Sequence, residues 1–101
     1  MRLKDKVIII TGATSGIGRA IAIRAVKEGA KVLVHGIDQS EGQKVVDHLG
    51  KSAVLCIADL ADPASPKKIA DAAISAFGQI DGLVNNAAII ERYNLLQLGI
   101  R

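Results

Sequence analysis

Thr11-Gly12-Ala13-Thr14-Ser15-Gly16-Ile17-Gly18 follows the apolar run Val7-Ile8-Ile9-Ile10 and opens the helical pattern Ile17, Ala20, Ile21, Ile23, Arg24. A buried strand that passes through a glycine-rich turn into a helix makes an anion site. The turn lets backbone N–H groups approach a phosphate, and the helix start adds its partial positive charge. The glycines divide the work. Gly12 permits the sharp turn, Gly16 removes a side chain where a diphosphate must come close, and Gly18 lets the helix pack against the strand. Thr14, Ser15 and Ile17 complete the set expected to line the ligand. Three spaced glycines among the ten in 101 residues are a weak signal alone. Their position between four β-formers and a helix favours phosphate binding over a plain connection.

Outward from that turn, strands and helices alternate. The first strand is read over residues 6–11 as a continuous apolar run, the mark of a strand covered on both faces. The first helix runs from Gly16 to Glu28, with Gly29 as its stop. A second strand covers Lys31 to His35. The second helix starts near Ser40, where Ser40 and Gln43 form a capping box, and ends at Gly50. Its stripe is Val45, Val46 and Leu49, with Lys44, Asp47 and His48 turned outward. A third strand spans Ala53 to Ala58. For the third helix, Ser65 as cap and Pro66 at the first helical position fit better than Asp62-Pro63. Ile69, Ala72, Ala73, Ala76 and Phe77 form its inward face, and Gly78 ends it. The fourth strand is Gly82 to Asn85. This alternation predicts a parallel sheet in the order 3-2-1-4 with right-handed crossovers, and a ligand at the carboxyl ends of the strands.

Composition narrows the function classes. One domain of this length buries roughly two-thirds of the surface its unfolded chain exposes. Half the residues are hydrophobic, yet only Phe77 and Tyr93 are aromatic, so Val, Ile, Leu and Ala must fill the core. The net charge is +3, and Lys67-Lys68 is the only adjacent basic pair, which gives no nucleic-acid footprint. Cys56 is the only cysteine and reads as a packing residue in a reducing, cytoplasmic setting. The apolar run after Lys6 is too short for a signal peptide or a membrane span. His48 reads as solvated. His35 is either a satisfied structural histidine or part of the ligand pocket. Two histidines and dispersed carboxylates form no metal-ligand cluster and no Ser-His-Asp arrangement.

Thr11-Gly12-x-x-x-Gly16-x-Gly18, Asp59-Leu60 and Asn85-Asn86-Ala87-Ala88, in that order and at this spacing, resemble the short-chain dehydrogenase/reductase family over about residues 3–90. The resemblance implies an α/β, Rossmann-like three-layer architecture that binds NAD or NADP for hydride transfer between an alcohol or carbonyl substrate and the nicotinamide. It also implies that Asp59 accepts a hydrogen bond from the adenine amino group while the Leu60 backbone meets the ring edge. Turn capping is the other reading of Asp59. Asn86, Ala87 and Ala88 are expected along the nicotinamide ribose, with Ala88 in place of the family's usual glycine. Cofactor choice turns on the tip of the second strand, His35-Gly36-Ile37-Asp38. Gly36 stands where NAD-preferring relatives carry an acid, and Ile37 where NADP-preferring relatives often carry arginine. Asp38, one or two residues later, can reach a ribose, which leans slightly towards NAD. Ser15 and Arg19 leave NADP open.

The resemblance stops short of the chemistry. Proton transfer in this family uses a tyrosine four residues before a lysine, with a serine upstream. Here Tyr93 is followed at that spacing by Gln97, and no lysine occurs after Lys68, so no catalytic residue is assigned and the 101-residue chain alone is expected to be inactive. Residues 1–88 are read as a partial dinucleotide-binding domain. In the tail, residues 89–101, Ile89, Tyr93, Leu96 and Ile100 are spaced four, three, four; it is either a loop or a helix that covers the sheet edge or joins two chains. An exposed fourth-strand edge invites pairing, and a homo-oligomer is expected. The alternative function is a small non-catalytic nucleotide-binding or protein-interaction module derived from this family.

Overall fold

Residues 2–86 are described by a computed structural model. β1 (Val7–Ile10), β2 (Lys31–Gly36), β3 (Ala53–Ile57) and β4 (Gly82–Val84) form one sheet in the order β3-β2-β1-β4. All three pairings are parallel, with Ile8 opposite Val32 and Gly82, and Leu33 opposite Val54. The helices are α1 (Gly16–Lys27), α2 (Gln39–Leu49) and α3 (Ser65–Phe77), and a 3-10 turn at Gly50–Ser52 leads into β3. The expected order and alternation are both present.

Strand alternation sorts the core into two layers. Ile10, Val32 and Val34 pack with Ala22 and Ala25 of α1 and Val45 of α2 on one face. Ile9 and Leu33 pack with Cys56, Ile69 and Ala73 on the other, beneath α3. β1, β2 and β3 are thus covered on both sides, whereas Leu83 of β4 is exposed.

Local details depart from the sequence reading where polar side chains choose between neighbouring caps. α2 is capped by Asp38, whose Oδ1 accepts from Glu41 N at 3.0 Å. The expected Ser40–Gln43 box does not form; Gln43 Nε2 donates to Asp47 Oδ1 instead. Asp38 wins because it sits in extended backbone just before the first turn, whereas Ser40 is already helical. In α3, Ala64 takes the cap position, Ser65 is the first helical residue and Pro66 the second. The buried Ser65 hydroxyl donates to the Asp59 carbonyl. Ala76 faces solvent rather than the core, while Ile69 and Ala73 are buried and Gly78 caps the helix as expected. In α1 the buried line is Gly18, Ala22 and Ala25, not the bulkier Ile17, which is 65% exposed.

Asp81 anchors the amino end of the sheet. Its Oδ2 accepts from Val7 N at 2.8 Å and from Gln79 Nε2 at 2.7 Å. The Val7 N–H, then Gln79, hold this carboxyl below the usual carboxylate range.

Candidate functional site at the glycine-rich turn

β1 delivers the chain to Thr11, whose N–H donates to Val84 O at 3.0 Å. The Thr11 hydroxyl lies 3.3 Å from Asn85 Oδ1, so β1 and β4 are tied at the carboxyl rim. Gly12 then turns with φ 61°. Its N–H donates to His35 Nδ1 at 3.0 Å, and its carbonyl accepts from Asn86 Nδ2 at 2.9 Å. Ala13 N donates to the His35 carbonyl at 2.8 Å. The first two amides of the turn are therefore spent inside the protein. Gly12 serves the site by shaping the turn.

His35 is the structural centre of this arrangement. It is 2% exposed, with Nε2 2.8 Å from the Ala58 carbonyl. A carbonyl only accepts, so Nε2 carries the proton and Nδ1 receives the Gly12 N–H. One imidazole thereby links the end of β3 to the glycine-rich turn through the tip of β2. Of the two sequence readings, the satisfied structural histidine is the one observed.

Beyond Ala13 the backbone opens. Ser15 is the N-cap of α1, and its side chain makes no capping bond; α1 has no acidic residue in its first turn. The first N–H groups of a helix have no acceptor within it, and the earliest bond here is Arg19 N to Ser15 O at 3.3 Å. Gly16 has φ 55°, and a β-carbon there would meet nothing within 4 Å. A β-carbon on Gly18 would overlap the Gly12 carbonyl oxygen and lie 2.5 Å from Asn86 Nδ2. Gly16 thus faces open space, and Gly18 lies against the turn. The residues present fit a diphosphate: unpaired donors, a helix start and no competing acid.

The other expected site residues are spread along the same rim. Ile37 (74% exposed) and the capping Asp38 follow β2. Asp59 follows β3, and its Oδ1 accepts from Ala61 N at 2.9 Å, which is the turn-capping alternative. Leu60 beside it is 38% exposed. Asn86 is fully buried, and among the described residues its Oδ1 has no partner. Ala87, Ala88 and the tail lie outside the described residues. Sequence reasoning missed the inward use of the Gly12 and Ala13 amides. A polar residue at the tip of β2, the strand next to β1, was the available signal.

Hollows also lie elsewhere among the described residues. One, about 470 Å³, is lined by residues of α2, β3 and α3, including Cys56 and Lys68; another, about 340 Å³, lies between α1 and α2. Burial pushes the Cys56 thiol up, outweighing the opposing pull of Lys68, so it packs rather than reacts. Among the described residues no group of histidine, cysteine and carboxylate side chains is placed to hold a metal. No helix among them is long and apolar enough to cross a membrane.

A parallel sheet with helices on both faces and a glycine-rich turn at its carboxyl rim defines a Rossmann-like nucleotide-binding architecture. The chain belongs to the short chain dehydrogenase family, whose model matches residues 6–99. It is 38% identical to an L-rhamnose 1-dehydrogenase (NAD(P)(+)) of Azotobacter vinelandii, over 97% of this chain and 41% of that protein. It is 43% identical to an NADP-dependent (R)-specific alcohol dehydrogenase of Lentilactobacillus kefiri, over 87% of this chain and 36% of that protein. Among solved structures it resembles a 3-ketoacyl-(acyl-carrier-protein) reductase of Brucella melitensis complexed with NADH. That match has a TM-score of 0.78 and 38% identity, covering 80% of this chain and 34% of the other. The chain thus spans well under half the length of each.

Proposed function

We propose that these residues form the dinucleotide-binding part of an oxidoreductase that transfers hydride between an alcohol or carbonyl substrate and a nicotinamide cofactor. The observation that carries this reading is the bare start of α1: Ser15 makes no cap, the first turn holds no acid, and Gly16 faces open space. The amides from Thr14 to Gly18 hold the diphosphate. Asp59 and Leu60 border the adenine, and Asn86, Ala87 and Ala88 adjoin the nicotinamide ribose. When bound, the nicotinamide supplies the hydride acceptor or donor. This chain's own residues bind and orient it.

Asp38 keeps one oxygen for a ribose hydroxyl while the other caps α2. A carboxylate at the ribose repels a 2′-phosphate and so leans the site slightly towards NAD, while the absence of an acid at Gly36 leaves NADP open. The sequence holds no tyrosine four residues before a lysine, and these residues are assigned cofactor binding alone. Residues 1–88 act as the binding unit, and the β4 edge or the tail joins it to a second copy. A lone buried cysteine suits a cytoplasmic setting.

Titration calorimetry with NAD, NADP and AMP tests this reading. Both dinucleotides should bind, and more tightly than AMP. A Gly16→Val variant, verified as folded by circular dichroism, should lose binding because a β-branched residue is strained at φ 55° and fills the phosphate's space. Undiminished affinity in that variant contradicts the assignment.

A further inference from the structure

Gly36 poses a question that its backbone does not answer. It closes β2, is buried, pairs with Ile57, and accepts from Ala58 N at 3.1 Å. Its φ is not in the left-handed region, so any residue could adopt its conformation. Glycine inside a strand marks a place where something comes close. Here that neighbour is Thr14, from the phosphate-binding turn. A β-carbon built on Gly36 would overlap Thr14 Cγ2 and lie 3.3 Å from its Oγ1 and 3.4 Å from its Cβ.

We infer that Thr14 is a specificity-determining residue of the dinucleotide site, because its methyl group occupies the space an acidic residue at the tip of β2 would need. An acid at such a strand tip hydrogen-bonds the adenosine ribose and repels a 2′-phosphate. With Thr14 in place, an acid at position 36 must push aside the Thr14 methyl, which sits on the turn assigned to the diphosphate. Discrimination is left to Asp38, which is exposed and already tied to Glu41 N. The methyl of Thr14 therefore keeps the site open to both cofactors. The two residues are a coupled pair: a small side chain at 14 permits an acid at 36, and a branched one opposes it.

This inference rests on the dinucleotide reading, and the test separates the two. The 101-residue chain and the variants Gly36→Asp and Thr14→Ala/Gly36→Asp are titrated with NAD and NADP. Thr14→Ala removes both atoms nearest the new β-carbon. Gly36→Asp alone should lose about fivefold or more in NAD affinity, because the overlap shifts the turn. The double variant should recover NAD affinity to within about threefold while its NADP affinity falls about tenfold or more through like-charge repulsion. Gly36→Asp binding NAD as tightly as the parent chain overturns the inference and leaves the dinucleotide site standing. A parent chain that binds neither cofactor overturns the dinucleotide reading itself. The steric coupling is then read from melting temperatures of Thr14→Ala, Gly36→Ala and the double variant. The loss on Gly36→Ala should be smaller when Thr14 is already alanine, and strictly additive losses refute the coupling.

Discussion

His35 carries more of the site than its place in the sequence announces. Its two ring nitrogens engage groups from two different segments, Gly12 N–H and the Ala58 carbonyl, in a position 2% exposed. Replacing it by phenylalanine keeps the volume but strands a buried donor and a buried acceptor, at a cost of about 2–4 kcal/mol. We expect His35→Phe to lower the melting temperature and to weaken NAD binding together, because the freed Gly12 amide no longer fixes the turn. A thermal melt and a titration of the same sample check this; a variant that melts lower but binds with parent affinity shows that His35 supports the fold alone. The pairing was half legible. Histidine at the tip of the second strand was visible as a structural candidate, but its partners come from residues 23 positions away on either side. Only the adjacency of three strand ends brings them together. Gly16 and Gly18 were readable from spacing because a turn and a close contact leave glycine few substitutes.

At the scale of elements, the apolar runs and the stops fix what forms, and competition among short polar side chains decides where each helix starts. Val7-Ile8-Ile9-Ile10 and Lys31-Val32-Leu33-Val34 read as buried strands, and they are. The caps were not legible in the same way. Asp38, Ser40, Asp62 and Ser65 can all cap, and the winners are set by backbone conformation that the sequence does not display. Likewise α1 buries Gly18, Ala22 and Ala25. Closest approach to a sheet selects small residues, whereas a hydrophobic stripe marks the bulky ones. Asp81 gives this scale a pH test. Its carboxyl titrates lower in the folded chain than in the unfolded one. The stability it contributes is therefore complete above the ordinary carboxylate range and is lost as pH falls through the folded value. Asp81→Ala should melt below the parent chain at neutral pH, and the gap should narrow as pH falls below the ordinary carboxylate range. A gap that stays constant across that range shows that the charge on Asp81 plays no part.

For the whole molecule, the parallel order β3-β2-β1-β4 places the carboxyl ends of all four strands on one rim, where the glycine-rich turn, Ile37, Asp59 and Asn86 lie. The alternation of strand and helix made that rim predictable before any residue of the site was assigned. β4 pairs only with β1 among the described strands, and its Leu83 side chain is exposed on a sheet face. An unpaired strand edge recruits another strand, so the 101-residue chain should self-associate. Light scattering across a concentration series is expected to show a dimer or larger species, and a stable monomer at the highest concentration contradicts that part of the account.

The central claim is that bare amides at the start of α1 hold the cofactor's diphosphate. Amide NMR of the isotopically labelled chain during NAD titration tests it most directly. The account predicts that the largest shifts fall on Ser15, Gly16, Ile17 and Gly18, with smaller ones at Ile37 and Leu60. Shifts confined to the hollow between α2 and α3, or none at saturating NAD, would contradict it.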